Sequence, residues 1–211
     1  MSKCPNHHHH HHKWRKIWRR VFQVSLVVLF IILLIVLITW AILHPHKPRF
    51  TLQDATVYVF NASAIPSLLT STIQVTVSSH NPNDNIAIYY DRLDIYATYQ
   101  DQQITLTTSI PPTYEDTKDA NVWSPILSGI SVPISPYHAA ALTQDQDHGF
   151  VTLMIKLSGR VRWRVGSFTS GGYHIFVNCP AYITFGSKST GIAVGNNAVK
   201  YQLMQACSVN V

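Results

Sequence analysis

The sequence predicts an all-β protein, an antiparallel β-sandwich of the immunoglobulin or fibronectin type, preceded by a single transmembrane helix. Two observations lead to this prediction. Residues 21–43 form an uninterrupted apolar run without a charged side chain. From residue 50 onward, short segments alternate apolar and polar residues, and turn-forming residues separate them at fairly regular intervals. Such spacing is typical of half-buried strands in a sandwich.

The apolar run 21–43 predicts a membrane anchor. As a helix that rises about 1.5 Å per residue it would extend roughly 34 Å, and the hydrocarbon core of a bilayer is about 30 Å thick. The run is longer than the apolar core of a cleaved signal peptide, and residues 40–45 form a poor cleavage site. Buried helices of soluble proteins seldom lack charge over such a length. We therefore expect an uncleaved single span.

The charges beside this run predict its orientation. Six Lys or Arg residues precede it, whereas only Lys47 and Arg49 follow within a similar distance. Because cytosolic flanks keep the excess of positive charge, we expect the N-terminus in the cytosol and the remaining chain outside. The predicted organisation is a basic His-rich cytosolic tail, a transmembrane helix, an extended linker with two prolines, and an extracytosolic β-sandwich, at residues 1–20, 21–43, 44–50 and 51–211.

The net charge of +6 belongs entirely to the N-terminal part. Residues 1–43 hold six basic and no acidic residues, whereas residues 44–211 hold ten of each. The juxtamembrane bases favour contact with membrane lipid, and the neutral outer part argues against a nucleic-acid-binding protein. The histidine run at His7–His12 is of a kind that binds divalent metal weakly, and we assign no metal site to it.

Alternating segments predict the strands and the breaks between them. Residues 86–99 are expected to form one or two strands broken near Asp91, and a turn is expected at Ser158 and Gly159. Residues 113–137 are expected to be a long connection, and 138–144 a helical turn. The remaining predicted strands are 56–60, 73–79, 103–110, 150–157, 160–165, 173–185 and 199–211.

The sequence lacks the motifs of the common enzyme classes. It contains no G-x-S-x-G, no H-E-x-x-H and no complete P-loop. The histidines beyond the tail have no metal-ligand spacing. Asp145, Asp147 and His148 lie in a polar segment that we interpret as a solvated turn rather than as a cation site. We therefore expect no catalytic residue, no metal and no cofactor.

The most specific local motif is Asn81-Pro82-Asn83, directly after a predicted strand. Asn-Pro initiates turns, and asparagine side chains bond to nearby backbone groups. Together with further stretches, this motif resembles the plant harpin-induced-like and non-race-specific disease resistance-like membrane proteins. These are the single-span members of the late-embryogenesis-abundant group 2 superfamily. The resemblance covers about residues 13–211, and its matching stretches are 80–104, 122–137, 157–168, 173–186 and 194–211.

The resemblance implies a plasma-membrane protein of pathogen defence, the hypersensitive response or water stress, with plasmodesmata as an alternative location. It implies a β-sandwich outside the cell and no catalytic residues. We expect the outer domain to act by binding other membrane or apoplastic proteins. One alternative is a module that holds a lipid between its sheets. Another is attachment of the membrane to the cell wall through a basic strand.

Three further features belong to the outer domain. Asn61 begins an N-glycosylation sequon, which is usable only outside the cytosol. Cys179 and Cys207 either form a disulfide or remain two buried thiols.

The third feature is a basic strand. Arg160, Arg162 and Arg164 alternate with apolar residues, which places three guanidinium groups on one face of the strand. This face is either a site for an anionic ligand or a charged outer surface that keeps the strand soluble.

Overall fold

The computed structural model describes residues 10–42, 45–63, 66–186, 189–194 and 198–211. The chain divides into two compact units, residues 1–44 and 45–211. In the first unit, helix α1 spans His10–Ile42 and so begins within the expected tail. Residues 7–9 of the histidine run lie outside the described residues. Ile17–Ile38 within α1 is long and apolar enough to cross a bilayer, with a mean hydropathy of 3.3.

The described residues of the second unit form a series of antiparallel strands and one helix. Their bounds are β1 Arg49–Ser63, β2 Leu68–His80, β3 Ala87–Tyr99, β4 Gln102–Gln103, β5 Thr108–Ile110, β6 Thr113–Glu115, β7 Ala120–Trp123, β8 Ile126–Pro133, α2 Pro136–Asp147, β9 Phe150–Val165, β10 Phe168–Thr169, β11 Tyr173–Thr184, β12 Ile192–Val194, β13 Ala198–Ala206 and β14 Ser208–Asn210.

The strands form two sheets. Sheet A has the order β12-β13-β1-β2-β7, and β8 also pairs with β2. Sheet B has the order β14-β11-β9-β3-β4, with β10 paired to β9 and with β5 and β6 paired to β3. The predicted antiparallel β-sandwich is thereby confirmed.

The core lies between the two sheets and follows the alternation in the sequence. On β9, for example, Val151, Leu153 and Ile155 point inward and are 0% exposed. Intervening side chains on the same strand lie at the outer face and are half-buried or exposed. Helix α2 adds Ala139 and Leu142 to this core. Because each strand keeps a period of two, one face of each sheet is buried and the other faces solvent.

Several sequence-based expectations differ from the structure. Residues 113–137 are not a long connection, since β6, β7 and β8 lie there and pair with the long strands β3 and β2. The strand expected at 103–110 is two short strands, β4 and β5. Asp145 and Asp147 belong to α2 rather than to a turn. Strands β4 to β7 have only two to four residues each, which is too few for a periodicity to be recognised from sequence.

The turn expected at Ser158 and Gly159 is also wrong, because β9 runs through both residues without a break. The strand register shifts just beyond them, opposite Arg160 and Val161, so that Asp91 forms a bulge in β3. A Cβ atom at Gly159 would lie 1.9 Å from the carbonyl oxygen of Arg92. Glycine is therefore required for the close approach of the two strands, not for a turn.

Candidate functional site

The Asn81-Pro82-Asn83 turn is tied together by the side chain of Asn81, which is 0% exposed. Its Nδ2 donates to the carbonyl oxygens of Ile86, at 2.7 Å, and Asp116, at 2.9 Å. Its Oδ1 accepts from the backbone N–H and the side-chain amide of Asn83, at 3.1 and 2.8 Å. The Asn81 amide therefore fixes the turn between β2 and β3 and holds the loop after β6 against it.

Asn83 connects this turn to the start of the folded unit. Its Oδ1 accepts from the backbone N–H of His46, and its Nδ2 donates to the carbonyl oxygen of the same residue, both at 2.8 Å. The side chain thus pairs with His46 as a neighbouring strand would. Pro48 is buried and β1 begins at Arg49. The segment 44–50, expected to be an extended linker, is therefore part of the sandwich from Pro45 onward.

A buried polar cluster lies beside the turn. Glu115 is 0% exposed, and its Oε2 accepts from the hydroxyl of Ser79 at 2.8 Å. The Ser79 hydroxyl also lies 2.7 Å from that of Tyr90. Glu115 Oε1 has no hydrogen-bond partner within the described residues. Burial raises the pKa of the Glu115 carboxyl above its ordinary value of 4.5, although hydrogen bonds from Ser79 and Tyr90 act in the opposite direction.

Aromatic side chains pack next to this cluster. The ring of Trp123 stacks on that of Phe50 at a centroid distance of 6.3 Å, and Tyr90 contacts both rings edge-on, at 6.1 Å to Phe50 and 5.5 Å to Trp123. Because these rings come from sheet A and sheet B, they join the two sheets around the polar groups.

Cys179 and Cys207 form a disulfide in the structure. Strand β13 leaves sheet A at Ala206, and β14 joins sheet B at Ser208, so the C-terminal chain crosses between the sheets at Cys207. Cys179 lies on β11 of sheet B and is buried. The two residues are 28 positions apart, and closing a loop of that length contributes roughly 3.6 kcal/mol by the chain-entropy relation.

The three arginines of the basic strand all lie on the outer face of sheet B, but they differ in their contacts. Arg162 pairs with Asp91, with 2.8 Å between Nε and Oδ2, and its guanidinium lies over the ring of Tyr89. Arg164 donates from Nη1 to the Tyr89 hydroxyl at 2.8 Å. The side chain of Arg160 has no hydrogen-bond or ion-pair partner among the described residues. Two of the three cations are thus engaged within the chain.

Asn61 lies near the end of β1, and both Asn61 and Ser63 of the sequon are exposed. Among the described residues, β1 beyond Val57 is paired with β2 only, because its pairing with β13 ends there. The Asn61 side chain is therefore accessible at an open part of the sheet edge.

A serine and a histidine meet at the start of α2, but their geometry does not suit nucleophilic catalysis. His138 Nδ1 lies 2.6 Å from Gln102 Oε1, an acceptor, so this nitrogen carries a proton. The same nitrogen is 2.9 Å from Ser135 Oγ, and it cannot accept the serine proton while it donates. Ser135 instead caps the helix, since its Oγ accepts from the backbone N–H of His138 at 3.1 Å.

Two residues were not predicted from the sequence: His46, which pairs with the Asn81-Pro82-Asn83 turn, and Glu115, which belongs to the buried polar cluster. Both residues lie in segments without strand periodicity, and their partners are more than thirty positions away, at Asn83 and Ser79. The described residues contain no group of three or more His, Cys, Asp or Glu side chains that could hold a metal ion.

Comparisons with known proteins place these features in context. The family model described as "Late embryogenesis abundant protein" matches residues 76–179. The chain is 57% identical, over the whole of both chains, to NDR1/HIN1-like protein 1 of Arabidopsis thaliana. It is 58% identical over 82% of each chain to NDR1/HIN1-like protein 12 of the same plant. To NDR1/HIN1-like protein 26 it is 37% identical over 72% of each chain.

Proposed function

This chain belongs to the NDR1/HIN1-like family of late embryogenesis abundant proteins, and from that membership we propose a specific role. The protein is a single-pass plasma-membrane protein of plant defence and stress responses. Helix α1 anchors it, and the sandwich acts outside the cell by contacting other proteins rather than by catalysis. The family is not one of enzymes, which supports the non-catalytic part of the proposal.

The observation that carries the proposal is the surface of α1. The 22 residues Ile17–Ile38 have a mean hydropathy of 3.3, and none of them is buried within the protein. Exposed Val, Leu, Ile and Phe side chains each lose about 1.5–3 kcal/mol in water relative to burial. Over a segment of this length the sum reaches tens of kcal/mol, which favours a lipid environment. The excess of basic residues before the segment supports a cytosolic N-terminus.

The filled core supports surface contact rather than storage of a lipid between the sheets. Ile88, Ile155 and Val177 lie in the centre of the sandwich and are each 0% exposed. A lipid chain between the sheets would have to displace such side chains, and each buried aliphatic residue removed costs about 2–5 kcal/mol. Binding at the outer surface requires no such rearrangement.

Membrane topology is the direct test. We would express the full chain in sealed microsomes and combine protease protection with glycosidase digestion. The proposal expects a protected sandwich, and any glycan-dependent mobility shift should vanish in Asn61→Gln and in Ser63→Ala. Asn85→Gln changes an exposed asparagine outside a sequon and should keep the shift. Digestion of the sandwich from the cytosolic side would refute the orientation.

The role in defence and stress needs a second test. Plants that lack the chain should respond more weakly to pathogen challenge or to water deficit than plants in which the full chain has been restored. Equal responses in both lines would contradict this part of the proposal while leaving the topology untouched.

A further inference from the structure

A groove of about 780 Å³ crosses three strands on the outer face of sheet B. The strand register arranges its walls as two adjacent rows. In the first row, Arg160 on β9 lies between Arg92 on β3 and His174 on β11. In the second row, Ser158 lies between Asp94 and Phe176. The small side chain of Ser158 at the centre leaves the hollow between its two larger neighbours.

The first row holds a positive charge that the fold does not neutralise. Arg92 is paired with Asp94, with 2.9 Å between Nε and Oδ2, and Asp94 also accepts from Ser109. Arg160 has no side-chain partner among the described residues, although a second arginine and a histidine flank it. Like charges opposite each other destabilise a sheet. An anionic ligand would remove this penalty, and the guanidinium fork matches a carboxylate in shape.

Two rings of β11, one from each row, add a flat surface beside that charge. The rings of His174 and Phe176 are 6.3 Å apart and nearly parallel, with 14° between their planes. Phe176 is 52% exposed, so its ring is open to solvent. An exposed aromatic ring offers a large, rigid surface to the C–H face of a ligand ring, and the neighbouring Asp94 and Ser158 provide hydrogen-bonding groups for hydroxyls.

We propose that this groove binds an acidic saccharide. The carboxylate of a uronic acid unit binds Arg160, the sugar ring packs on Phe176, and its hydroxyl groups bond to Asp94 and Ser158. A phosphate or sulfate ion would use Arg160 alone and would leave the ring surface unused. This assignment goes beyond the proposed function, because it gives the domain a ligand that does not depend on its membrane topology or on its protein partners.

The test measures binding by the full chain in nanodiscs of phosphatidylcholine, which carries no net charge. The probes are oligogalacturonate, neutral galacto-oligosaccharide and inorganic phosphate, studied by isothermal titration calorimetry. Arg160→Gln should weaken oligogalacturonate binding by about 10-fold to 100-fold, because a hydrogen-bonded charge pair is lost. Phe176→Ser should weaken it by roughly 2-fold to 10-fold.

Lys200→Gln is the matched control. It removes the same charge from a half-buried lysine on sheet A, where Lys200 pairs with Asp54, and it should leave oligogalacturonate binding unchanged. Since Arg160 and Phe176 are exposed, their variants should unfold at the temperature of the original protein.

Three results would overturn the proposal. The first is failure of the full chain to bind oligogalacturonate. The second is an equal loss of binding in Arg160→Gln and Lys200→Gln, which would indicate general charge attraction. The third is phosphate binding of similar strength together with full binding by Phe176→Ser, which would leave a simple anion site. None of these results would alter the expected membrane topology.

Discussion

Replacing Asn81 by alanine should destabilise the sandwich more than any exposed substitution in the same loop. The side chain is 0% exposed and makes four hydrogen bonds, two as donor and two as acceptor. Alanine leaves the carbonyl groups of Ile86 and Asp116 and two N–H groups of Asn83 without these partners. The pairing of Asn83 with His46 depends on the same arrangement, so the start of β1 should loosen as well.

The expected magnitude follows from the burial of these groups. Each buried polar group left without a partner costs about 1–3 kcal/mol, and water reaches some of the four after the change. We therefore expect a loss of roughly 3–5 kcal/mol in the free energy of unfolding. Domains typically have a free energy of unfolding of only about 5–15 kcal/mol, so this single amide contributes a large part of the stability of the sandwich.

Urea unfolding of the full chain in detergent micelles, followed by the circular dichroism of the sheets, measures this loss. The control is Asn85→Ala, four positions along the loop, because Asn85 is exposed and should change the free energy by no more than about 0.5 kcal/mol. If Asn81→Ala differed from Asn85→Ala by less than about 1 kcal/mol, the turn would not hold the sandwich as described.

Two further predictions concern Glu115, which is buried, and Gly159, which is half-buried. Because the pKa of Glu115 is raised above 4.5 in the folded chain, its contribution to stability is complete below that value and is lost as pH rises through the raised pKa. The free energy of unfolding should therefore fall with pH relative to that of Glu115→Gln, by up to about 1.4 kcal/mol per pH unit within that interval; parallel pH profiles would contradict this. Gly159→Ala should lower stability by about 3 kcal/mol or more, because its Cβ would lie 1.9 Å from the Arg92 carbonyl oxygen. Gly171→Ala, with open space around it, is the control in thermal unfolding, and equal melting temperatures would refute the close-approach argument.

Local patterns were sufficient to predict the long apolar helix and the class of fold. The hydropathy of residues 21–43 is a property of that segment alone, because the length and polarity of one segment determine whether it could span a bilayer. The alternation within β2, β9 and β11 likewise depends on neighbours two positions apart. Strands β6, β7 and β8, between residues 113 and 133, escaped prediction because they pair with β2 and β3, far away in sequence.

The candidate sites show the same division. Asn81-Pro82-Asn83 was recognisable as a turn because an asparagine side chain bonds to backbone close to it in sequence. Its second role, the pairing of Asn83 with His46 across 37 positions, had no local signal. Gly159 was misread for a related reason, since glycine marks turns and close approaches alike and only the opposite strand distinguishes them.

The sequence by itself determined which segments are apolar, which segments alternate apolar and polar residues, and where charge accumulates, because each of these properties depends only on residues close together in the chain. Only the tertiary structure decided the strand register and the burial of each residue. These two properties determine which groups surround an individual side chain. They pair Arg162 with Asp91 and leave Arg160 unpaired in a groove, and they bury Glu115 beside Ser79. The charge of a residue is local, whereas the groups that neutralise it come from strands that only folding brings together.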